Sequence, residues 1–173
     1  MSRRKQAGVL IAALVVAGAA GCTEQPGKAE NASCQASAQA DEGNVRTDRW
    51  DPPAELPDLG DYVEIHWQRR ASGDPCDRAP GPTDWEYQGI VKLRPADAKD
   101  LAERYDWSAV GPSPDPNELD TPAQMWDALA PFVPAGVHWR HSKVYDQEEP
   151  QARWRRFYFD PEQAVGFFAL YDH

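Results

Sequence analysis

Side chains capable of acid–base chemistry alternate with apolar residues along two predicted strands. Glu64 and His66 alternate with apolar residues over 62–70, and Glu86 alternates with apolar residues in the same way over 84–93. Because alternate strand residues share a face, we expect these three side chains, with Gln68 and Gln88, on one face of a strand pair. Two carboxylates beside a histidine could transfer protons in an enclosed site. Any half-solvated antiparallel sheet has the same alternation, so this polar face is a hypothesis, and no catalytic residue is assigned.

Other reactive side chains form no recognised catalytic pattern. The chain lacks a Gly-x-Ser-x-Gly elbow, a Gly-x-x-x-x-Gly-Lys phosphate loop and a His-Glu-x-x-His pair. Ser142 follows His141, but neighbouring strand residues point to opposite faces, so we do not expect them to act together. No cofactor is predicted. Four arginines could contact an anion beside the polar face: Arg140, Arg153, Arg155 and Arg156.

The histidines do not predict a metal site. They are His66, His138, His141 and His173. The three-residue spacing of His138 and His141 places them on opposite faces of a strand, and His173 is the last residue. The acidic stretch over 115–120 lacks the central glycine and final glutamate of a calcium loop. We therefore predict no bound metal.

Hydrophobic periodicity predicts an α+β fold. Strands are expected over 62–70, 84–93, 137–145, 153–159 and 164–171. One helix is expected from Pro95 to about Tyr105, and a second from Thr121, where Gln124 would complete a capping box. The order is β-β-α-α-β-β-β. It favours a five-stranded, mostly antiparallel sheet with two helices packed on one face.

The N-terminus has the pattern of an export signal. Basic residues Arg3, Arg4 and Lys5 precede an apolar run over 7–20, and small residues then lead to Cys22. The run is shorter than the roughly 20 residues that span a membrane. The cysteine after Gly21 resembles the lipobox of bacterial lipoproteins, which implies a signal peptide over 1–21 and a lipid on Cys22. A plain secretory signal is the alternative, and the choice between general and twin-arginine export is left open.

The aromatic residues mark a domain boundary. Every Trp, Tyr and Phe lies between Trp50 and Tyr171, whereas 22–58 is polar and without apolar periodicity. We predict an acidic, polar, disordered tether over 22–58 and a single α+β domain over 59–173. With Cys22 assigned to lipid, Cys34 and Cys76 are an even pair in an oxidising compartment, which favours a disulfide over two unpaired thiols.

Net charge limits the partners. The chain carries a formal charge of −10, and loss of the signal peptide would remove three cations. Nucleic-acid binders present basic surfaces, so nucleic acid is not an expected partner. An anionic leaflet would also repel this domain, so a lipid, rather than charge, would hold it at the membrane.

A resemblance agrees with this location. The bias toward Ala, Arg, Pro, Asp and Trp, the stretch Tyr62-Val63-Glu64-Ile65-His66-Trp67-Gln68 and the later Gly81-Pro82-Thr83-Asp84 resemble small, uncharacterised actinobacterial (Streptomyces-like) lipoproteins. The resemblance implies a lipid-anchored protein on the outer face of the cell membrane, and no activity.

Two functions follow as hypotheses. The first is a non-catalytic binding or structural domain, with the membrane as one partner and an envelope protein or cell-wall component as another. The alternative is a small envelope hydrolase or transferase that uses Glu64, His66 and Glu86. The sequence predicts no oligomeric state.

Overall fold

The computed structural model describes residues 26–48, 56–76, 84–111, 120–148 and 154–172. The predicted signal peptide and Cys22 lie outside these residues. The elements are α1 (Pro26–Glu42), β1 (Tyr62–Ser72), β2 (Asp84–Leu93), α2 (Pro95–Arg104), β3 (Ser108–Ala109), β4 (Arg140–His141), α3 (Lys143–Asp146), β5 (Trp154–Asp160) and β6 (Val165–Asp172). Two 3₁₀ turns, Pro122–Gln124 and Ala130–Phe132, precede β4. No helix in the described part of the chain is long and apolar enough to cross a membrane.

An antiparallel sheet organises the domain. Its six strands lie in the order β1-β2-β6-β5-β4-β3, and each neighbouring pair is antiparallel. The predicted α+β class and the β1–β2 pair are confirmed. The predicted count of five strands and the predicted element order are wrong. The extra strand β3 has only two residues, too few for a periodic signal, and it is recognisable only through its pairing with β4.

The segment predicted as the second helix forms isolated 3₁₀ turns. The capping arm is present, since the Thr121 backbone N–H donates to Gln124 Oε1 at 3.1 Å. The turn nevertheless ends at Met125, whose ψ of 138° is extended. Pro131 then lies inside the second turn, and a proline supplies no N–H for continued helical bonding. A correct start signal therefore did not produce an α-helix.

Both faces of the sheet are covered. One core contains Leu101 of α2 together with Phe157 and Phe168, and the other contains Leu129 with Tyr158 and Phe167. Neighbouring residues of β5 and of β6 therefore enter opposite cores, because consecutive strand residues point to opposite faces. The prediction that the two expected helical segments pack on one face is wrong: α2, together with Tyr145 of α3, covers one face, and the segment with the 3₁₀ turns covers the other.

Helix α1 is attached to the sheet edge. The predicted disulfide is confirmed: Cys34 is bonded to Cys76, with Cα atoms 5.8 Å apart. Past the helix, Arg46 exchanges backbone hydrogen bonds of 2.7 and 2.9 Å with Trp67 of β1. Asp41 also accepts a bond from Arg69 at 2.8 Å. The disordered tether was predicted over 22–58; within it, the described residues 26–48 instead contain α1 and its attachment to β1. The helix is attached through a disulfide and polar contacts rather than through a buried apolar face. The sequence of the helix therefore has no apolar periodicity from which its packing could be predicted. The domain boundary at residue 59 stays a prediction.

Candidate functional site

The strand register separates the predicted acid–base residues. Glu64 pairs with Lys92, whereas Glu86 pairs with Arg70, six residues farther along β1. At about 3.3 Å per residue, the two glutamates are roughly 20 Å apart along the sheet. Acid–base catalysis requires partners within hydrogen-bond reach of one substrate. The structure therefore does not bring Glu64, His66 and Glu86 into one site.

His66 and Glu64 form a local pair. His66 Nε2 lies 2.6 Å from Glu64 Oε1, and the imidazole stacks on Phe132 at 3.7 Å between ring centroids. Glu64 is more than half exposed, while His66 Nδ1 is buried and has no hydrogen-bond partner among the described residues. The 3₁₀ segment thus covers this histidine instead of leaving a substrate cavity above it.

The two predicted polar-face glutamines are structural. Gln68 is fully buried and donates to the Glu42 carbonyl at 2.9 Å, so it ties β1 to the end of α1. Gln88 is also buried, and its Oε1 accepts from the Trp126 backbone N–H at 2.9 Å. Both side chains anchor segments that cover the sheet. The predicted half-solvated face is therefore largely an internal one.

Glu86 belongs to a different acidic pair. Asp120 carries a positive φ of 62° and is buried, and Tyr171 donates to its Oδ1 at 2.7 Å. Burial raises the pKa of Asp120. Burial, and then the charge of Asp120, raise the pKa of Glu86 above its ordinary value. The pair is electrostatically coupled, and it lies apart from His66 along the sheet.

A cleft of about 460 Å³ lies between α3 and β5. We call it the α3–β5 cleft. The described residues that line it are His141, Lys143, Asp146, Gln147, Trp154, Arg155 and Arg156. Local structure places the first part of this lining. Ser142 Oγ caps α3 by accepting from the Tyr145 N–H at 3.2 Å, and it donates to Asp106 at 2.9 Å.

Asp146 orients the polar side chains of the cleft. Its Oδ2 lies 2.6 Å from His141 Nε2 and accepts from Arg156 Nη1 at 3.1 Å. Its Oδ1 accepts from the Phe157 backbone N–H at 3.0 Å. The carboxylate is almost fully buried, so its charge is offset by these donors rather than by water. The imidazole and the guanidinium are thereby held in fixed directions.

The cleft presents cations beside an exposed aromatic ring. The Arg156 guanidinium lies 4.6 Å from the centroid of the Trp154 ring, and 39% of Trp154 is exposed. Lys143 is exposed and makes no ion pair with another described residue. Arg155 is buried and donates to the carbonyls of Tyr145 (2.7 Å) and Glu148. Arg155 therefore holds the end of α3, while Lys143 and Arg156 can contact an anion.

Some of the side chains considered from the sequence lie in this cleft and others do not. Arg156 lines it, whereas Arg140 lies 3.8 Å from Glu162, and Arg153 lies outside the described residues. His141 and Ser142 have separate partners, Asp146 and Asp106. The strand predicted over 137–145 is wrong beyond Arg140–His141, because Ser142 caps the short helix α3 instead of continuing the strand. Within the described ranges, no group of three or more His, Cys, Asp or Glu side chains could hold a metal ion. His173 lies outside those ranges.

Four cleft residues were not identified from the sequence, namely Lys143, Asp146, Gln147 and Trp154. A single signal was available, because Ser142 three residues before Tyr145 has the spacing of an N-cap and could have indicated the short helix. Nothing in the sequence pattern indicated that Asp146 would contact Arg156. That contact depends on the pairing of β4 with β5.

Comparisons of this chain with protein-family models, curated proteins and solved structures found no match. The site is therefore assigned from its own geometry.

Proposed function

We propose that this chain is a non-catalytic binding domain, held on the outer face of the cell membrane by a lipid on Cys22, whose ligand enters the α3–β5 cleft. The observation that carries the proposal is this cleft, where a buried carboxylate holds the Arg156 guanidinium and the exposed Lys143 adds a second cation, in a protein of net charge −10. A cationic site favours an anionic ligand, even when the protein as a whole is acidic.

The chemistry of the lining favours binding over catalysis. The described residues that line the cleft include no serine, threonine or cysteine that could act as a nucleophile. Asp146 already accepts three hydrogen bonds, so it is committed to orienting its donors. The alternative hydrolase or transferase would require Glu64 and Glu86 in one site, and the register keeps them far apart.

The sequence supports the location. The apolar run over 7–20 and the Gly21-Cys22 junction are typical of a lipoprotein signal, and the acidic composition makes charge-driven membrane attachment unfavourable. Two acyl chains would provide stable anchoring where a single chain is marginal. The residues between Cys22 and α1 would then join the lipid anchor to the domain, which would face soluble or wall-bound ligands.

Lipidation is tested by labelling cells that express the full chain with radioactive palmitate. We expect label in the wild-type protein and none in Cys22→Ser. An unlabelled wild-type protein, or a mature N-terminus with an intact thiol, would contradict the anchor.

Use of the cleft is tested by binding of the purified full chain, in detergent, to isolated actinobacterial membrane and cell-wall fractions. Lys143→Gln should weaken binding, because it removes an exposed cleft cation without breaking a described contact. Lys99→Gln is the matched control, since Lys99 is an exposed lysine on α2 whose ion pair with Glu103, at 3.8 Å, is solvent-exposed. Equal binding by both variants would exclude the cleft as the binding site.

A further inference from the structure

We infer that the α3–β5 cleft binds an acidic saccharide, meaning a sugar ring that carries a carboxylate or a phosphate. The inference rests on the proposed function, since it names the ligand of the same cleft. Three features carry it: the uneven charge of the lining, the exposed tryptophan, and the polar character of the remaining walls.

The charge of the lining selects an anion. Asp146 is buried among its three donors and is not offered to a ligand. Lys143 is exposed at the cleft and carries no described ion pair, so its ammonium can pair with a ligand. Arg156 donates one described hydrogen bond to Asp146, and a guanidinium has five N–H donors, so other donors can bind a ligand. A carboxylate or phosphate group matches these two cations.

The tryptophan selects a flat partner. Trp154 starts β5, and its ring packs edge-on against Tyr171 with the centroids 5.1 Å apart. The Arg156 guanidinium lies over the same ring, so two contacts hold the indole in place. More than a third of the residue remains exposed at the rim of the cleft. A rigid, exposed aromatic ring provides a stacking surface for the apolar C–H face of a sugar.

The other walls favour a polar ligand. Sites for apolar molecules are lined mostly by hydrophobic side chains with few polar groups. Here Gln147, His141 and Lys143 contribute polar side chains, and Trp154 is the one aromatic side chain among the described lining residues. A volume of about 460 Å³ lies within the usual range for a small-molecule site. Hydroxyl groups on a charged ring would satisfy these donors and acceptors.

Isothermal titration calorimetry of the full chain in detergent tests the inference with four probes. Glucuronate and glucose 6-phosphate are the acidic sugars, glucose is the neutral control, and inorganic phosphate is the control without a ring. We expect at least one acidic sugar to bind about tenfold or more tightly than glucose, because one charge-assisted hydrogen bond contributes about that factor. The preferred acidic sugar identifies a carboxylate or a phosphate as the recognised group.

Variants test whether binding occurs at this cleft. Lys143→Gln should weaken the preferred acidic sugar about tenfold by removing the charged donor. Trp154→Ala should weaken it roughly 3- to 10-fold by removing the stacking surface. Lys99→Gln should have no effect, and circular dichroism spectra must show that each variant is folded.

The outcomes separate the inference from the proposed function. Equal affinity for glucose and both acidic sugars, no binding of any sugar, or phosphate binding as tightly as glucose 6-phosphate would overturn the acidic saccharide. The proposed function would survive those results if Lys143→Gln still weakened binding to the envelope fractions. Unchanged envelope binding in that variant would overturn both.

Discussion

Gly89 of β2 lies where no side chain can be accommodated, and Gly89→Ala should destabilise the protein strongly. A Cβ at this position would lie 2.7 Å from Cε1 of Phe168 and 2.8 Å from the carbonyl oxygen of His66. The first contact is with a fully buried ring and the second is with the backbone of the neighbouring strand. Neither neighbour is a flexible side-chain end that can turn away.

The magnitude follows from the displacement required. Cε1 of Phe168 would have to retreat from 2.7 Å to at least the 3.4 Å of ordinary contact, and this ring is fully buried. Overpacking of this kind costs about 1–3 kcal/mol, and contact with a ring and a backbone together indicates the upper end. Alanine is better than glycine in a strand by about 0.5–1 kcal/mol. The expected net loss in unfolding free energy is therefore about 2 kcal/mol, or a Tm lower by roughly 10 °C.

Urea unfolding followed by tryptophan fluorescence measures the loss, and Gly111→Ala is the matched control. A Cβ on Gly111 would meet no atom of the described residues within 4 Å. The unfolding free energy of that variant should therefore equal that of the wild type or exceed it by up to about 1 kcal/mol. Gly166→Ala should repeat the loss, because its Cβ would lie 2.7 Å from Cε2 of Phe157.

A double variant tests the cause of the loss. Phe168→Leu removes the ring edge that the new Cβ would meet, so adding Gly89→Ala to Phe168→Leu should cost less than adding it to the wild type. The coupling should be at least about 0.5 kcal/mol, as for residues in direct contact. A Gly89→Ala protein within about 0.5 kcal/mol of the wild type, or strictly additive losses, would refute the close-approach reasoning.

Three further predictions concern other parts of the fold. Replacing both Cys34 and Cys76 by serine removes a disulfide that joins residues 42 positions apart in the sequence. In the chain-entropy model, urea unfolding should show an unfolding free energy lower by up to about 4 kcal/mol. An unchanged unfolding free energy would mean that the disulfide does not constrain the unfolded chain. The pKa of Asp120 is raised in the folded protein, so its ionised carboxylate destabilises the fold at pH values above the folded pKa. This destabilisation disappears below the unfolded pKa of 3.8. Asp120→Asn should therefore raise Tm more at about pH 7 than at about pH 3. An equal rise at both pH values would contradict this, and Glu86 should retain part of the pH dependence. Leu129→Ala, in the second core, should cost about 2–5 kcal/mol by calorimetry, and a loss below about 1 kcal/mol would mean that this face is not a packed core.

Regular elements were the predictable part of the fold. The alternation of Ile65 and Trp67 with polar residues correctly indicated β1, and both side chains are buried. Val63 was expected on the same buried face, yet it is 62% exposed, because the pairing shifts between Tyr62 and Glu64. A register shift moves a side chain to a different environment without changing the sequence pattern.

The cover of the polar face was not predictable. The sequence pattern placed Gln68 and Gln88 on a half-solvated face, but each one anchors a segment that folds back over the sheet. An amide side chain has the same sequence signature whether water or a backbone group satisfies it. The exposed or buried state of a polar strand face therefore depends on segments distant in the chain.

The sequence by itself determined the first strand pair, helix α2 and the acidic character of the chain, and it favoured the pairing of Cys34 with Cys76. These follow from local periodicity, cysteine number and composition. Only the tertiary structure decided which polar side chains share a site: it separated Glu64 from Glu86 and joined Asp146 to Arg156. The reason is that a shared site depends on strand register and on covering segments. Both are set by packing across the whole domain rather than by neighbours in the chain.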